Sequence, residues 1–340
     1  MQKTRLPERP DWRAHAQEVG FTFADMHGEP YWDETSAYAL SLEQIENDIE
    51  DPSTELHAMC REAVAEIIAS EELMAQLAIP EAHRDLVAES WRRGDPEIYG
   101  RFDLAYDGAR PAKLLEYNAD TPTSLYESAA FQWQWLEDQL KAGGLPEGTD
   151  QFNGIHEALV ARFAEVFEPD SDLHFTAVAD NPEDYGTVEA MGWAAREAGL
   201  GAHYCDLDKI ALSEDGQFLD DQDRRIAALF KLYPWEDLLR DDYASHIAGS
   251  GCLFLEPAWK ALLSNKGSCP SCGGCSKAIL ICCPRFLRRM WQMRSPGAAL
   301  PLPPAPRPLT VPPRIWRQRM CASRSSRVRG RRSRSINPAR

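Results

Sequence analysis

The last acidic residue of the 340-residue chain is Glu256, so all 53 Asp and Glu precede the long C-terminal stretch. Gly267 onward holds 16 of the 37 Lys and Arg, leaving 21 basic against 53 acidic side chains in residues 1–266, a net charge of -32. Cysteine divides the same way. Cys60, Cys205 and Cys252 are spread through the body, while Cys269, Cys272, Cys275, Cys282, Cys283 and Cys321 crowd the tail. Two such compositions do not share one core. The expectation is a globular region over 1–266 and a Cys/Arg/Pro-rich tail over 267–340 that stays disordered, because it lacks the apolar pattern needed to offset the entropy of ordering.

Within the body, 44% hydrophobic and 26% charged residues for the whole chain fit a soluble globular protein. The start, MQKTRLPERPDWR, has no apolar run, and no segment approaches the ~20 apolar residues of a membrane helix. The expected compartment is therefore the cytoplasm, with no membrane partner. The spacing of Leu40, Leu42, Ile45 and Ile49 predicts a helix over 35–50, and Leu56, Met59, Val64, Ile67, Leu73 and Leu77 predict another over 54–78, ended by Pro80. Helices are also expected over 83–93, 124–141 and 151–167. Ser124 would be the N-cap of the second of these, with Glu127 three residues on. From residue 173 the texture alternates: strand 173–180, helix 182–199, strand 202–207, a strand within 224–235, and a short strand over 251–257. That alternation argues an α/β layer.

The stretch RFDLAYDGARPAKLLEYNADTPTSLYE, residues 101–127, reads as two strands joined by a turn at Asp107-Gly108-Ala109-Arg110. Alternation places Arg101 and Asp103 on one face of the first strand, and Glu116 and Asn118, with Leu114, on one face of the second. Across a hairpin the two polar pairs can meet. Asp, Glu and Asn are hard oxygen donors of the kind Mg²⁺ prefers, and an Arg beside them suits a phosphate oxygen. That pattern suggests metal-assisted phosphoryl chemistry. A solvated sheet face with ordinary cross-strand pairs fits the spacing equally well.

RFDLAYDG followed by KLLEYNADTPTSLYE resembles the signature of the glutathionylspermidine synthase family, and FLEPAWKALLSNK (254–266) resembles a second one. The similarity runs from about Asp11 to Lys266. The resemblance implies an α/β (α+β) pre-ATP-grasp fold followed by an incomplete ATP-grasp. It implies an ATP- and Mg²⁺-dependent ligase that activates a carboxylate as an acyl phosphate and lets an amine attack. By motif, Asp103, Glu116 and Asn118 resemble the Mg²⁺ ligands and Arg101 the residue that steadies the transferring phosphate. Thr121 and Thr123 stand where the family contacts its peptide substrate, and Lys266 resembles a lysine on the nucleotide phosphates. Glu183, Asp184 and Glu189 are candidates for the acidic polyamine end, and a solvated helix start explains them as well. Bifunctional members carry an upstream Cys/His amidase, and Cys60 has no such motif around it. The implied partners are a small peptide carboxylate and an amine, with no nucleic acid; the oligomeric state is not set by the sequence.

The resemblance stops after Lys266. GSCPSCGGCSKAILICC invites a zinc or iron–sulfur reading at Cys269, Cys272, Cys275, Cys282 and Cys283, and RSSRVRGRRSRS a nucleic-acid tail. A frame offset is the alternative. If the last base of each codon is joined to the first two of the next, residues Gly267 to Phe286 permit ILPLLWRLFKGHPNLLPAF, which resembles the family after its SNK motif. The offset also accounts for the missing acids and the excess of Arg and Pro. It implies a ligase impaired in this chain. The alternative function is a non-catalytic polyamine- or peptide-binding protein with an unrelated basic tail.

Overall fold

A computed structural model describes residues 1–26 and 28–264. Lys266 and the whole of 267–340, with the cysteine cluster and the arginine-rich end, lie outside the described residues. The centre is a four-stranded parallel sheet of β5 (Asp172–Ala177), β6 (Gly201–Tyr204), β7 (Ala228–Leu232) and β8 (Leu253–Leu255), in the order β8-β7-β5-β6. Before it come the paired strands β1 (Gln2–Arg5) and β2 (Ser36–Ala39), and the antiparallel hairpin of β3 (Arg101–Ala105) and β4 (Lys113–Asn118). Near-continuous burial along β5 and β7 is what a parallel sheet covered on both faces requires.

Strand alternation sorts the core into two layers. Leu173, Phe175 and Ala177 of β5 and Phe230 and Leu232 of β7 pack with Val188, Met191 and Ala194 of the helix Pro182–Glu197, and with Phe163 of Ile155–Val166. The opposite layer joins Leu229 and Phe254 to Met59, Ala63, Val64 and Ile67 of the helix Asp51–Ile68, and to Val87, Trp235 and Trp259. The α/β expectation therefore holds, with helices on both faces of the sheet. Among the described residues no helix is long and apolar enough to cross a membrane.

Two expected helices differ. Residues 36–39 pair with the N-terminal strand instead of starting a helix, and the helix begins at Leu42. The reason is a capping box: Ser41 Oγ accepts from Gln44 N at 3.2 Å and Gln44 Oε1 accepts from Ser41 N at 3.1 Å. The helix expected over 54–78 runs from Asp51 to Ile68, and a second one, Glu71–Gln76, starts at Ser70, whose hydroxyl accepts from Leu73 N.

Candidate functional site

The hairpin is closed by its own turn. Asp107 Oδ1 accepts from Ala109 N and Arg110 N at 3.0 and 3.1 Å, and Gly108 takes the left-handed conformation there, φ +81°. Register then sets the site, with Arg101 opposite Asn118 and Asp103 opposite Glu116. All four polar side chains share one face. A register shift after Asp103 puts Leu104 opposite Leu114 and leaves Leu115 as the extra, exposed residue of a bulge. Leu114, expected on the polar face, is thereby turned to the face of Leu104. On that reverse face the Phe102 and Tyr117 rings lie 4.2 Å apart and border a cavity of about 370 Å³ with His57, Glu97 and Arg162.

Arg101 organises the polar face. Its Nε donates to Asp103 Oδ1 at 2.8 Å, and its Nη1 donates to Thr123 O at 3.1 Å and Thr123 Oγ1 at 3.2 Å. With its amide oriented to satisfy both ends, Asn118 accepts from Arg101 Nη2 and donates to Glu116 Oε1, both at 3.0 Å. Burial opposes the guanidinium charge, but Asp103, Glu116 and Glu183 outweigh it and hold its pKa above the ordinary value. Thr121 is half-buried on the loop that carries Thr123.

Beyond Arg101 lies a group of acids. Asn181 caps the helix Pro182–Glu197, accepting from Glu183 N and Asp184 N at 3.2 Å each. Burial, with Glu183 beside it, raises Asp184 to about 7. The helix N-terminus and Asn181 act the other way, and burial outweighs them at the half-buried Asp184. Glu189 lies further along the same helix, where it acts on the Tyr126 hydroxyl. Glu127, read from sequence as a capping partner, instead faces Tyr31 and lies within the field of Arg101. Ser124 takes φ +65° and its hydroxyl faces Arg101 Nη1 at 3.4 Å and Tyr31 Oη at 3.3 Å. Glu127 is 6% exposed and accepts from the Tyr31 hydroxyl through Oε1, while its Oε2 is buried without a hydrogen-bond partner. Burial, reinforced by Glu183, raises its pKa against the lowering effect of Tyr31 and Arg101. Its place 26 residues beyond Arg101 in sequence carried no signal; only the fold brings Tyr31 to it.

Among the described residues no group of three or more His, Cys, Asp and Glu side chains could hold a metal by itself. Asp103, Glu116 and the Asn118 amide are two carboxylates and one neutral oxygen. Such a set fits a Mg²⁺ ion only when phosphate oxygens or waters complete its shell, as is usual for this ion. Cys60 is buried, and burial pushes its thiol up to about 12, so it is not a poised nucleophile.

A family model described as "Glutathionylspermidine synthase preATP-grasp" matches residues 3–270. A putative acid–amine ligase of Haemophilus influenzae is 41% identical over 270 residues, covering 77% of this chain and 67% of its own length. A trypanothione synthetase of Crithidia fasciculata is 27% identical over 241 residues, covering 64% of this chain and 36% of its own. A bifunctional glutathionylspermidine synthetase/amidase of Escherichia coli is 25% identical over 258 residues, with 68% and 40% covered. The chain thus spans well under half the length of the latter two relatives.

Proposed function

The chain belongs to the glutathionylspermidine synthase pre-ATP-grasp family, and from that premise we propose that it is an ATP- and Mg²⁺-dependent acid–amine ligase centred on the polar face of β3 and β4. The observation that carries the reading is the cross-strand set itself: Arg101 opposite Asn118, Asp103 opposite Glu116, one guanidinium bridging them. Asp103, Glu116 and Asn118 would hold the ion, which when bound neutralises phosphate charge and orients the transferring group. Arg101 is pre-aimed by Thr123 and Asp103, so its planar fork can hold a phosphate oxygen without further ordering. Thr121 and Thr123 line the loop proposed to receive the peptide carboxylate. The amine is received among the carboxyl groups of Glu127, Glu183 and Asp184 beside the hairpin, and Glu189 borders them.

Lys266 is assigned to the nucleotide phosphates by motif, and the acid-free residues 267–340 are not suited to build the second layer over them. We extend the proposal accordingly: the chain as written binds the nucleotide weakly and turns over little. Calorimetric titration with ATP, in magnesium and in EDTA, tests the site without requiring turnover. Binding should depend on magnesium and be lost in Asp103→Asn and Glu116→Gln. Magnesium-independent binding that survives both substitutions contradicts the assignment.

A further inference from the structure

We infer that Tyr31 is the positioning residue of the amine site: its hydroxyl engages one oxygen of Glu127 and leaves the other for the ammonium group of a linear alkylamine. The inference rests on the reading that an amine is received beside Arg101, and it adds the residue that sets how the receiving carboxylate points.

The geometry begins with how firmly Tyr31 is held. Its backbone N and that of Trp32 both donate to Ala24 O at 3.0 Å. Trp32 is wedged edge-on against Phe131 at 5.0 Å and Phe21 at 5.9 Å, within the core layer. Tyr31 itself leans on Phe23 at 5.9 Å, yet remains 38% exposed. One end of the side chain is thus fixed by the core, while the ring forms a rim to the site.

Its hydroxyl donates to Glu127 Oε1. A neutral donor there orients the carboxylate without cancelling its charge, as a lysine or arginine would. Glu127 Oε2 is left buried and unpartnered, which costs free energy until a donor arrives. Arg101 does not fill it: no Arg101 nitrogen hydrogen-bonds Glu127 Oε2, and the guanidinium is aimed at Asp103 and Thr123 on the hairpin side. The surroundings decide the donor's charge. Glu183 and Asp184 add two acids, and Arg101 is the cation among the groups that act on Glu127. A primary ammonium suits that balance, and the exposed edge of the Tyr31 ring offers an apolar surface to the methylenes behind it.

The charge of Glu127 should govern affinity. Burial and Glu183 raise its pKa, and the Tyr31 hydroxyl and Arg101 lower it; Glu127 and Asp184 both act on the nearby Tyr99 hydroxyl. A cation is held only while Glu127 is ionised, so affinity falls as pH drops through its pKa. Removing the hydroxyl raises that pKa further and moves the loss to higher pH.

The test is calorimetric titration of the full chain with spermidine between pH 5 and 8, using wild type, Tyr31→Phe and Glu127→Gln, with ATP binding in magnesium as the control. Tyr31→Phe should weaken spermidine about tenfold at pH 7, move the acid limb upward, and leave ATP affinity unchanged. Glu127→Gln should weaken spermidine and flatten the limb. Wild-type spermidine binding in Tyr31→Phe, with Glu127→Gln impaired, overturns the role of Tyr31 alone. Loss of ATP affinity in Tyr31→Phe reduces Tyr31 to a structural part and also overturns it. Spermidine binding unchanged in both variants, or absent in wild type, overturns the amine site on which the inference stands.

Discussion

Asn118 and Asp120 are two residues apart in one motif and do different work. Asn118 sits on the open polar face, whereas Asp120 is buried, accepting from Lys231 Nζ and Trp235 N at 2.6 Å each. The second motif is structural in the same way. Lys260 Nζ contacts Glu256 at 2.7 Å and Glu97 at 3.1 Å and donates to Tyr99 O, while Glu256 also accepts from Ile98 N and Tyr99 N. Lys260→Met would leave the buried Glu256 uncompensated and should cost about 3–5 kcal/mol in urea unfolding. Glu97 gives a pH signature. Burial alone would raise its pKa, but His57 and Lys260 outweigh that and hold it at about 2, below its ordinary value of 4.5. A depressed carboxylate stabilises the fold above its unfolded pKa and loses that contribution as pH falls toward the folded one. Stability should therefore decline between pH 4.5 and about 2, and Glu97→Gln should flatten that decline. On the polar face, Arg101→Lys keeps the charge but loses the fork that reaches Asp103, Thr123 and Asn118 together. In an active form of the enzyme it should lower kcat/KM by about 100-fold, roughly 3 kcal/mol, measured as phosphate release.

Helices and strands carry the site through a few local contacts. Gly100, just before β3, stands so close to Tyr117 that a Cβ would lie 2.7 Å from the ring. Gly100→Ala should displace that ring from Phe102, disturb the start of the hairpin, and destabilise by about 1–3 kcal/mol in thermal or urea melts. Ser41→Ala should cost ~1 kcal/mol by loss of the cap. These elements also show what the sequence made legible. The hairpin, its shared polar face and the strand–helix alternation after residue 173 followed from period and turn chemistry. The start at Leu42 was written as Ser41-x-x-Gln44, but the apolar spacing of Leu40 and Leu42 masked it. The bulge at Leu115 left no mark, because one extra residue in a strand preserves composition while reversing faces. Glu127 and Tyr31 were illegible as a pair, since 96 residues separate them and tertiary contacts such as the packing of Trp32 on Phe131 bring them together.

At the scale of the molecule, the two-sided core and the buried pairs Lys231–Asp120 and Lys260–Glu256 brace the site among the described residues. The central claim is that this site belongs to an ATP-driven acid–amine ligase whose nucleotide layer is spoiled after Lys266. The most direct measurement compares two proteins side by side: the chain as written, and a version carrying the offset frame from Gly267 onward. Each is given ATP, magnesium, glutathione and spermidine, and amide product and phosphate are followed together. The account predicts amide and phosphate in equal amounts from the restored version, dependent on magnesium and on Asp103, and little of either from the chain as written. Equal activity in the two, or phosphate release without amide in the restored version, would contradict it.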